Sequence, residues 1–388
     1  MPFTGKATFN AGTTLPELAE DVSDIIGIVS PFETPLLDHL GDPKRAATST
    51  VHEWIEDTLL ANTDQINQTV FTPGPTTATA ITVDNPARFS PGDLVRPGDN
   101  KEVMLVTSVS STLTVVRGYG GTTPATLAND MPLTILGNAA FEGDIAPLAR
   151  FTNRVRKANY TQIFTASIEV SGTLRASRNV GIDDEVDYQK QERMRELLRD
   201  LENCVINGTA PAADPQGSGS VRRSMNGILR TVQTNQFTPG AGGIPQGDGT
   251  GNNGLTEEVL NAALRKVWEQ SNGPVDTIVV GGAQKRRING FGTSSRSFLP
   301  EDTRYRDVIS VYESDFGVCK VILSRWVPQD ALILLDSSRA EVMPLQGRSF
   351  QYRELGALGD ATRGQVVGEY TLELRNENAH GVVRGLAV

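Results

Sequence analysis

The longest uninterrupted helical pattern in the sequence runs from Asp183 to Asn207, and it limits the possible fold more than any other stretch. Apolar side chains recur there at steps of three and four, so they would line one face of a helix. Asp183 and Asp184 suit the free N–H groups at its start, and Gly208 follows where a left-handed C-cap is expected. At about 1.5 Å per residue, the helix would extend on the order of 37 Å. The pattern predicts a spine helix, with an ordinary amphipathic surface helix as the alternative. Its apolar face consists of Met194, Leu197, Leu198, Leu201 and Val205.

The opposite face of this helix carries charges that are spaced three residues apart. Opposite charges at this spacing are neighbours on a helix surface and stabilise it modestly. We interpret this face as solvated. The pairs are Glu192–Arg195, Glu196–Arg199 and Arg199–Glu202.

The composition limits the class of protein. A chain of 388 residues is long enough for two or three domains, and its net charge of −10 disfavours non-specific nucleic-acid binding by the surface as a whole. Two cysteines and three histidines argue against a disulfide scaffold, a zinc site and an oxidising compartment. No stretch approaches the roughly 20 apolar residues of a membrane span, and the start lacks a signal-peptide hydrophobic region. We therefore expect a soluble intracellular product.

Residues 1–50 predict an N-terminal arm with one short helix. Pro16 suits a first helical turn, and an apolar stripe follows between Leu18 and Val29. Pro31 and Pro35 then exclude a long helix. Such a segment has little core of its own, so we expect it to lie on the rest of the chain or on a neighbour.

Two strand-like segments enclose a stretch of different composition. Residues 51–60 form a short extended run, and residues 159–172 alternate apolar and polar side chains as a half-buried strand does. We interpret them as partners in an extended, hairpin-like loop. Between them, residues 72–137 are rich in Thr, Val, Gly and Pro, with short strand signals separated by turns. They predict an inserted all-β domain, a barrel or a sandwich, of about 65 residues.

The remainder of the chain has an α+β pattern. Thr256 is expected to cap a second amphipathic helix, and strand signals follow it up to about residue 335. In Glu369–Arg375, apolar and polar residues alternate, which predicts a strand with one buried face and one wet face. The apolar face of the second helix comprises Val259, Leu260, Ala263, Leu264, Val267 and Trp268. The strand signals are Thr277–Val280, Val308–Tyr312, Val318–Ser324 and Ala331–Leu335.

The sequence contains no recognisable catalytic motif. The histidines are widely separated, and neither cysteine lies in a nucleophile motif. Residues 279–285, VVGGAQK, superficially resemble a phosphate-binding loop. They lack the second glycine before the lysine and the Ser or Thr after it, so we interpret them as a tight turn. We predict no catalytic residue, no cofactor, no metal site and no enzymatic activity.

Two basic clusters stand out against the acidic background. They could contact an acidic neighbour or nucleic-acid phosphates. The simpler interpretation is a solvated face with scattered charge, because exposed basic runs are common. The first cluster is Arg150, Arg154, Arg156 and Lys157, and the second is Lys285, Arg286, Arg287, Arg296, Arg304 and Arg306.

Several short motifs follow one another along the chain in a specific order. They are SPFETPLLDHLGD (30–42), HEWIEDTL (52–59), FEGD (141–144), NYTQIFTASIEVSGT (159–173), RDLENCVINGT (199–209) and GEYTLELRNENAHGVVRGL (368–386). By the order and spacing of these motifs, and by the order of the parts described above, the chain resembles the major capsid proteins of tailed bacteriophages with the Hong Kong 97-type fold. The similarity covers most of the chain outside residues 72–137.

The resemblance implies an α+β, Hong Kong 97-like capsid fold with an inserted small all-β domain. No long helical segment precedes the arm, so a covalently attached scaffolding segment is not expected. The implied domains are an N-terminal arm (1–50), an extended loop (51–71 and 138–170), the insertion as a decoration (72–137), a peripheral domain with the spine helix (171–254 and 337–388) and an axial domain (255–336).

The resemblance also implies a function and partners. The chain would assemble into hexamers and pentamers of a head shell, in the virion, after synthesis in the host bacterial cytoplasm. Portal, scaffolding and decoration proteins are further implied partners, contact with packaged double-stranded DNA would be loose, and no membrane is involved. The basic residues would then meet acidic residues of adjacent subunits, and the charged face of the spine helix could support a neighbour's extended loop. Another virion component, such as a tail or head-completion protein, is the second hypothesis, and an enzyme such as a glycosidase is the third.

Overall fold

The computed structural model describes residues 34–57, 59–143, 151–152, 154–176, 184–271, 274–291, 310–356 and 359–388. They fall into two compact units. We call the one formed by the chain up to Trp54 and from Lys157 onward the core unit, and the one from Ile55 to Arg156 the insertion unit. The predicted helix of the arm and the cap residue Asp183 lie outside the described residues.

The secondary structure is mixed throughout. The helices are α1 (Pro35–Leu40), α2 (Gly172–Ala176), α3 (Glu185–Asn207), α4 (Ile228–Thr231), α5 (Glu257–Gln270) and α6 (Gly282–Phe291). The strands are β1 (Val51–Glu56), β2 (Thr63–Gln65), β3 (Ala80–Ile81), β4 (Asp93–Pro97), β5 (Met104–Val109), β6 (Leu113–Val116), β7 (Pro132–Asn138), β8 (Val155–Tyr160), β9 (Gln162–Ser171), β10 (Gln236–Phe237), β11 (Thr277–Val280), β12 (Val311–Ser314), β13 (Gly317–Leu323), β14 (Leu332–Leu335), β15 (Ala340–Pro344), β16 (Gln351–Leu355), β17 (Ala361–Leu374) and β18 (Gly381–Val383).

The predicted spine helix is α3. The Asp184 carboxylate accepts a hydrogen bond from the Val186 amide at 2.8 Å and caps its start. Gly208 ends it with φ −53°, so the predicted left-handed C-cap is wrong. A glycine is needed there for another reason, because a Cβ would collide with the carbonyl oxygens of Cys204 and Met225.

One residue assigned to the wet face of α3 is in fact buried. Glu202 has no exposed surface and lies among the buried residues of the helix. The solvated pairing predicted for Arg199 and Glu202 is therefore wrong. The pair Glu192–Arg195 is confirmed, with 2.7 Å between carboxylate and guanidinium.

A six-stranded mixed sheet, which we call the central sheet, has the order β10-β18-β14-β11-β13-β12. Its middle strand β11 is buried at all four positions, as a strand covered on both faces should be. Val279 points into the core cluster that contains α3, whereas Ile278 and Val280 point into the cluster that contains α5. The predicted strand signals at 277–280, 318–324 and 331–335 are thereby confirmed.

The second amphipathic helix is α5, and the Thr256 hydroxyl caps it by accepting from the Val259 amide at 3.3 Å. Five of its six predicted apolar positions are buried. Trp268 is 60% exposed, so its assignment to the buried face is wrong. Its ring lies beside that of Phe316, with 5.9 Å between the ring centroids, at the edge of the buried face of α5. The tight turn predicted at 279–285 is wrong for most of that range, because residues 279–280 end β11 and residues 282–285 already belong to α6, with Gly281 between them. The sequence pattern did not indicate α6.

The long strand β17 organises a second sheet, the C-terminal sheet. Residues 361–370 pair with β9 along one edge, while β16 and β15 pair with successive parts of the other edge. The predicted wet face of this strand is wrong, because Glu369, Thr371 and Glu373 are all buried. The two glutamates contact arginine side chains, and Glu373 also contacts the segment that follows α1, as described below.

The insertion unit contains a closed antiparallel barrel. Its strands have the order β2-β7-β4-β5-β6-β3, and an antiparallel bridge between Ile66 and Val83 joins the two ends of the sheet. Inside, eleven buried apolar residues form a separate core. Arg117 and Glu102 add an ion pair at 2.7 Å, with the Glu102 side chain fully buried. Closure leaves no exposed edge in such a sheet, so the predicted small all-β insertion is a barrel.

The extended loop differs from its prediction in one respect. β1 pairs with β8 as a two-stranded sheet, whereas β9 pairs with β17. The predicted partnership of residues 51–60 with the whole of 159–172 is therefore wrong for the strand from Gln162 onward. Alternation alone shows that a strand has two faces, but it does not identify the neighbouring strand.

Candidate assembly surfaces and the charge networks behind them

The first predicted basic cluster lies on and before β8. Arg154 is exposed, with its Nε 3.7 Å from Asp57 Oδ2. Arg156 and Lys157 are exposed as well, and so are the neighbouring strand residues Val155 and Ala158. Both faces of this part of β8 are therefore open in the single chain. Arg150 lies outside the described residues.

The described residues of the second predicted cluster all lie on α6, but their environments differ. Lys285 is buried, and burial lowers the pKa of its amino group below the usual value. Arg287 Nη1 is 3.1 Å from Asp248 Oδ2, and Arg286 lines an open groove beside them. The intersubunit role of both clusters stays a prediction. Arg296, Arg304 and Arg306 lie outside the residues that the structure describes.

Glu373 on β17 anchors the segment that leads from α1 into β1. Its carboxylate is 2.5 Å from His52 Nε2 and 3.0 Å from Arg45 Nη2. Glu341, which lies opposite it on β15, pairs with the same Arg45 at 3.2 Å and accepts from the Lys44 amide at 2.9 Å. Burial opposes ionisation of Glu373, but the hydrogen bond from His52 and the charge of Arg45 outweigh it and hold the pKa of this carboxyl below its usual value. The guanidinium of Arg45 thus bridges two carboxylates that face each other across two strands, and Arg375 Nε lies 3.2 Å from Glu373 Oε1 as a second cation.

Glu369, which lies four residues and thus two strand periods from Glu373 on the same face of β17, forms a second network. Its Oε1 accepts from the Thr161 hydroxyl at 2.6 Å and lies 2.5 Å from Arg223 Nη2. Its Oε2 lies 2.8 Å from Arg348 Nε. Arg223 also donates to the Thr161 carbonyl at 2.6 Å. One buried carboxylate therefore joins β17 to the β8–β9 connection and to two loops.

Glu202 connects the spine helix to α1. Its Oε2 accepts from the Leu36 and Leu37 amides at 3.1 and 3.3 Å, and its Oε1 accepts from the Ser324 hydroxyl at 2.9 Å. Burial, with a smaller contribution from Asp38, raises the pKa of Glu202 to about 7. The first turn of α1 therefore receives its hydrogen-bond acceptors from α3.

His380 is a second buried titratable group, and it is held in the neutral form. Its Nδ1 accepts from the Asp336 amide at 3.2 Å, and its Nε2 lies 3.3 Å from the Arg375 carbonyl. Burial lowers its pKa to about 4. Glu202 and His380 thus affect the pH dependence of stability in opposite directions.

Their combined effect is testable. Between pH 4.5 and 7 the folded chain retains the Glu202 proton that the unfolded chain has lost, so this carboxyl makes stability fall as pH rises. Between pH 6.5 and 4 the unfolded chain protonates His380 while the folded chain does not, so stability falls as pH falls. The two slopes cancel between about pH 4.5 and 6.5. A Glu202→Gln variant loses the Glu202 effect and keeps that of His380. Between pH 4 and 6.5 its free energy of unfolding should therefore rise by roughly 3 kcal/mol more than that of wild type.

Urea unfolding of unassembled subunits at several pH values measures this difference. The double variant Glu202→Gln/His380→Gln is the control, because it should lose the added slope. Identical pH profiles for wild type and Glu202→Gln would contradict the assignment.

No sequence pattern identified the residues that form these networks. The spacing of Glu369 and Glu373 places them on one face of a strand, which was a usable signal. Their partners Arg45, Arg223 and Arg348 are distant in sequence, and nothing local identifies them. Within the described residues, no group of three or more His, Cys, Asp or Glu side chains could hold a metal ion. None of the described helices is long and apolar enough to cross a membrane.

Comparison with known sequences gives consistent matches. The family model described as SU10 major capsid protein matches residues 2–387. A major capsid protein of Escherichia phage Phieco32 is 26% identical over 289 residues, covering 63% of this chain and 80% of that protein. A major capsid protein of Pseudomonas phage PaMx41 is 34% identical over 103 residues, covering 26% of this chain and 24% of that protein.

Comparison with solved structures supports the fold. The capsid of a native GTA particle superposes with a TM-score of 0.56 at 9% identity, covering 99% of this chain and 100% of that one. A chain from Mycobacterium phage Bobi gives a TM-score of 0.52 at 12% identity, covering 98% and 99%. The Hong Kong 97-like fold predicted from the order of elements is thus confirmed.

Proposed function

The chain belongs to the SU10 major capsid protein family, and from that premise we propose which of its surfaces build the shell. It is a structural protein of the phage virion and not an enzyme, and it self-assembles into the icosahedral shell of the head. We propose that the copies are grouped as hexamers and pentamers, and that assembly takes place in the host cytoplasm.

The proposed assembly surfaces are inferred from the β1–β8 ribbon. An isolated two-stranded ribbon is marginally stable in water, and this one exposes residues on both faces. Large apolar side chains on the ribbon and in the chain segments that join it to the barrel are also exposed, Phe141 by 85%. Apolar surface of this kind is typical of a subunit that completes its core against symmetry mates. The other exposed apolar residues near it in the insertion unit are Ile55, Leu59, Leu60, Phe151 and Val155.

Recombinant expression followed by negative-stain microscopy tests this assignment. Wild type should form closed shells or capsomers. A Phe141→Ser/Phe151→Ser variant should remain unassembled while the core unit keeps its fold, because both side chains are exposed in the single chain. Phe291→Ser, at a half-buried position at the end of α6 in the core unit, is a control that should instead lower the melting temperature. Normal shells from the double variant would contradict the proposed contact.

The domain roles also remain part of the proposal. We assign α3 and β15–β17 of the C-terminal sheet to the peripheral domain (171–254 and 337–388) and α5, α6 and β11–β14 to the axial domain (255–336). β9 joins the C-terminal sheet from the range proposed for the extended loop (138–170). In the central sheet, β10 and β18 join these strands from outside that range. The basic residues of β8 and α6 are proposed to pair with acidic residues of adjacent subunits, because the chain carries 46 acidic and 36 basic side chains. Portal, scaffolding and decoration proteins and loosely held DNA are the further proposed partners.

The barrel is proposed to be a decoration that the rest of the fold does not require. Its first strand, β2, begins at Thr63, and its last, β7, ends at Asn138. Replacing residues 61–140 by a short Gly-Ser linker should therefore leave a core unit that folds. Deleting only residues 72–137 should give an aggregating chain, because β2 and Ile66 would lose their partners. Circular dichroism and size-exclusion chromatography of both deletions measure this. Equal aggregation of both would contradict the separability of the barrel.

A further inference from the structure

A recess of about 720 Å³ borders the C-terminal end of α3. It lies within the core unit, between the end of that helix, the α4 segment and the chain after β18. None of its eight lining residues is Asp or Glu. Its polar lining consists of Asn207, Thr209, Arg230, Gln233, Gln236 and Arg384.

The two arginines differ in how firmly they are held. Arg384 Nη2 donates to the Leu229 carbonyl at 2.6 Å, which fixes its guanidinium at the wall of the recess. Arg230 is exposed, and its side chain forms no hydrogen bond or ion pair with any residue in the described part of the chain. Glu377, the carboxylate bonded to this segment, already accepts from the Gln233 amide at 2.8 Å and the Thr234 hydroxyl at 3.1 Å. The recess therefore has a net positive lining.

A concave site lined by one sign of charge focuses its potential and attracts the opposite charge. Guanidinium groups match carboxylates in geometry and bind them through paired N–H groups. The chain has ten more acidic than basic side chains. In a closed shell, copies of the same chain lie against each other in fixed geometry, so a carboxylate of one copy that met the recess of its neighbour would do so at every equivalent contact.

We propose that this recess receives a carboxylate-bearing loop of a second copy of the chain. The proposal rests on the shell-forming function and adds an interface that neither predicted basic cluster contains. A phosphate of packaged DNA is the competing anion, and the outcomes given below distinguish it from a carboxylate. Arg384 orients the carboxylate, and Arg230 closes over it from the open side.

The substitution Arg230→Glu tests this contact with little risk to the fold, because this side chain is exposed and bonded to nothing in the described chain. We expect the yield of closed shells to fall roughly tenfold or more, since like charges would face each other across the contact. The melting temperature of the unassembled subunit should be unchanged. Arg96→Glu, an exposed position on β4 of the barrel, is the matched control with the same change in net charge, and it should assemble normally.

The possible outcomes distinguish a carboxylate of a second copy from a phosphate of DNA as the anion that binds in the recess. Normal assembly of Arg230→Glu with normal DNA content would overturn the proposal. Normal assembly with lowered DNA retention would also overturn it, in favour of a phosphate contact. Equal loss in Arg96→Glu would show an effect of net charge alone and would overturn it too. Wild type prepared in parallel should form closed shells, and this result tests the shell-forming function separately from the proposed contact.

Cross-linking identifies the partner directly. A photoactivatable group on the thiol of an Arg230→Cys variant should yield covalent dimers of the chain within assembled shells. The cross-linked peptide should contain Asp or Glu. Wild type labelled in the same way is the control for Cys204 and Cys319. Adducts to DNA alone, or an absence of dimers beyond the control, would overturn the proposal.

Discussion

Replacing Glu369 by alanine is expected to lower the free energy of unfolding by about 3–5 kcal/mol, because it leaves charged partners of a buried group uncompensated. Arg223 and the Thr161 hydroxyl both point at Glu369 Oε1, at 2.5 and 2.6 Å. Without the carboxylate, Arg223 keeps its bond to the Thr161 carbonyl but remains only 17% exposed, too little for full hydration of its charge. A loss of this size is a large fraction of the stability of an ordinary domain.

Chemical denaturation of the unassembled subunit measures this loss, and two variants separate its causes. Glu369→Gln keeps an acceptor for Thr161 but removes the charge, so it should fall between wild type and alanine. Glu354→Ala, at an exposed position of neighbouring β16, should change the stability little. A cost below about 1 kcal/mol for Glu369→Ala, within the range of a surface ion pair, would show that the network adds little.

Glu202→Ala is expected to cost about 2–4 kcal/mol and to act locally on α1 before the whole subunit unfolds. Three donors lose their acceptor, namely the Leu36 amide, the Leu37 amide and the Ser324 hydroxyl. The two amides belong to the first turn of a six-residue helix, which is too short to be stable without tertiary support. Amide hydrogen exchange at Leu36 and Leu37 should therefore accelerate more than exchange in α5.

A matched pair of substitutions defines the role of the carboxylate. Ser324→Ala removes one of the three bonds and should cost about 1 kcal/mol. Glu196→Ala, a half-exposed position on the same helix, should leave exchange in α1 unchanged. Uniform acceleration across the whole core unit in Glu202→Ala would mean that α1 is not a separate element of stability.

The sequence was sufficient to predict the elements with long, regular patterns. α3 and α5 follow from apolar residues at steps of three and four and from their capping residues, and the central strands follow from short β-branched runs. Trp268 shows the limit of such patterns, because a residue at the edge of the apolar stripe of a helix can be exposed to solvent instead of buried. The prediction of the capsid fold came from the order of these elements along the chain.

Buried charge was the main feature that the sequence did not predict. Glu202, Glu369 and Glu373 occupy polar positions of regular patterns, so periodicity assigned them to water. Their burial depends on arginines and backbone amides that are up to 328 residues away in the chain, as for Arg45 and Glu373. Periodicity describes one element at a time, and it contains no information about which distant segment covers a face.

The ladder between β9 and β17 has a mechanical consequence. β8 continues into β9 after one residue, and β9 is held to β17 by antiparallel pairing over ten consecutive residue pairs. Hydrogen bonds in such a ladder run perpendicular to the strands, so tension applied along β9 loads them together in shear instead of opening them one after another. A pull that a neighbouring subunit exerts through the β1–β8 ribbon would therefore be transmitted as shear to the most extensively paired strand of the subunit. A head shell under internal pressure would carry part of its tensile load there.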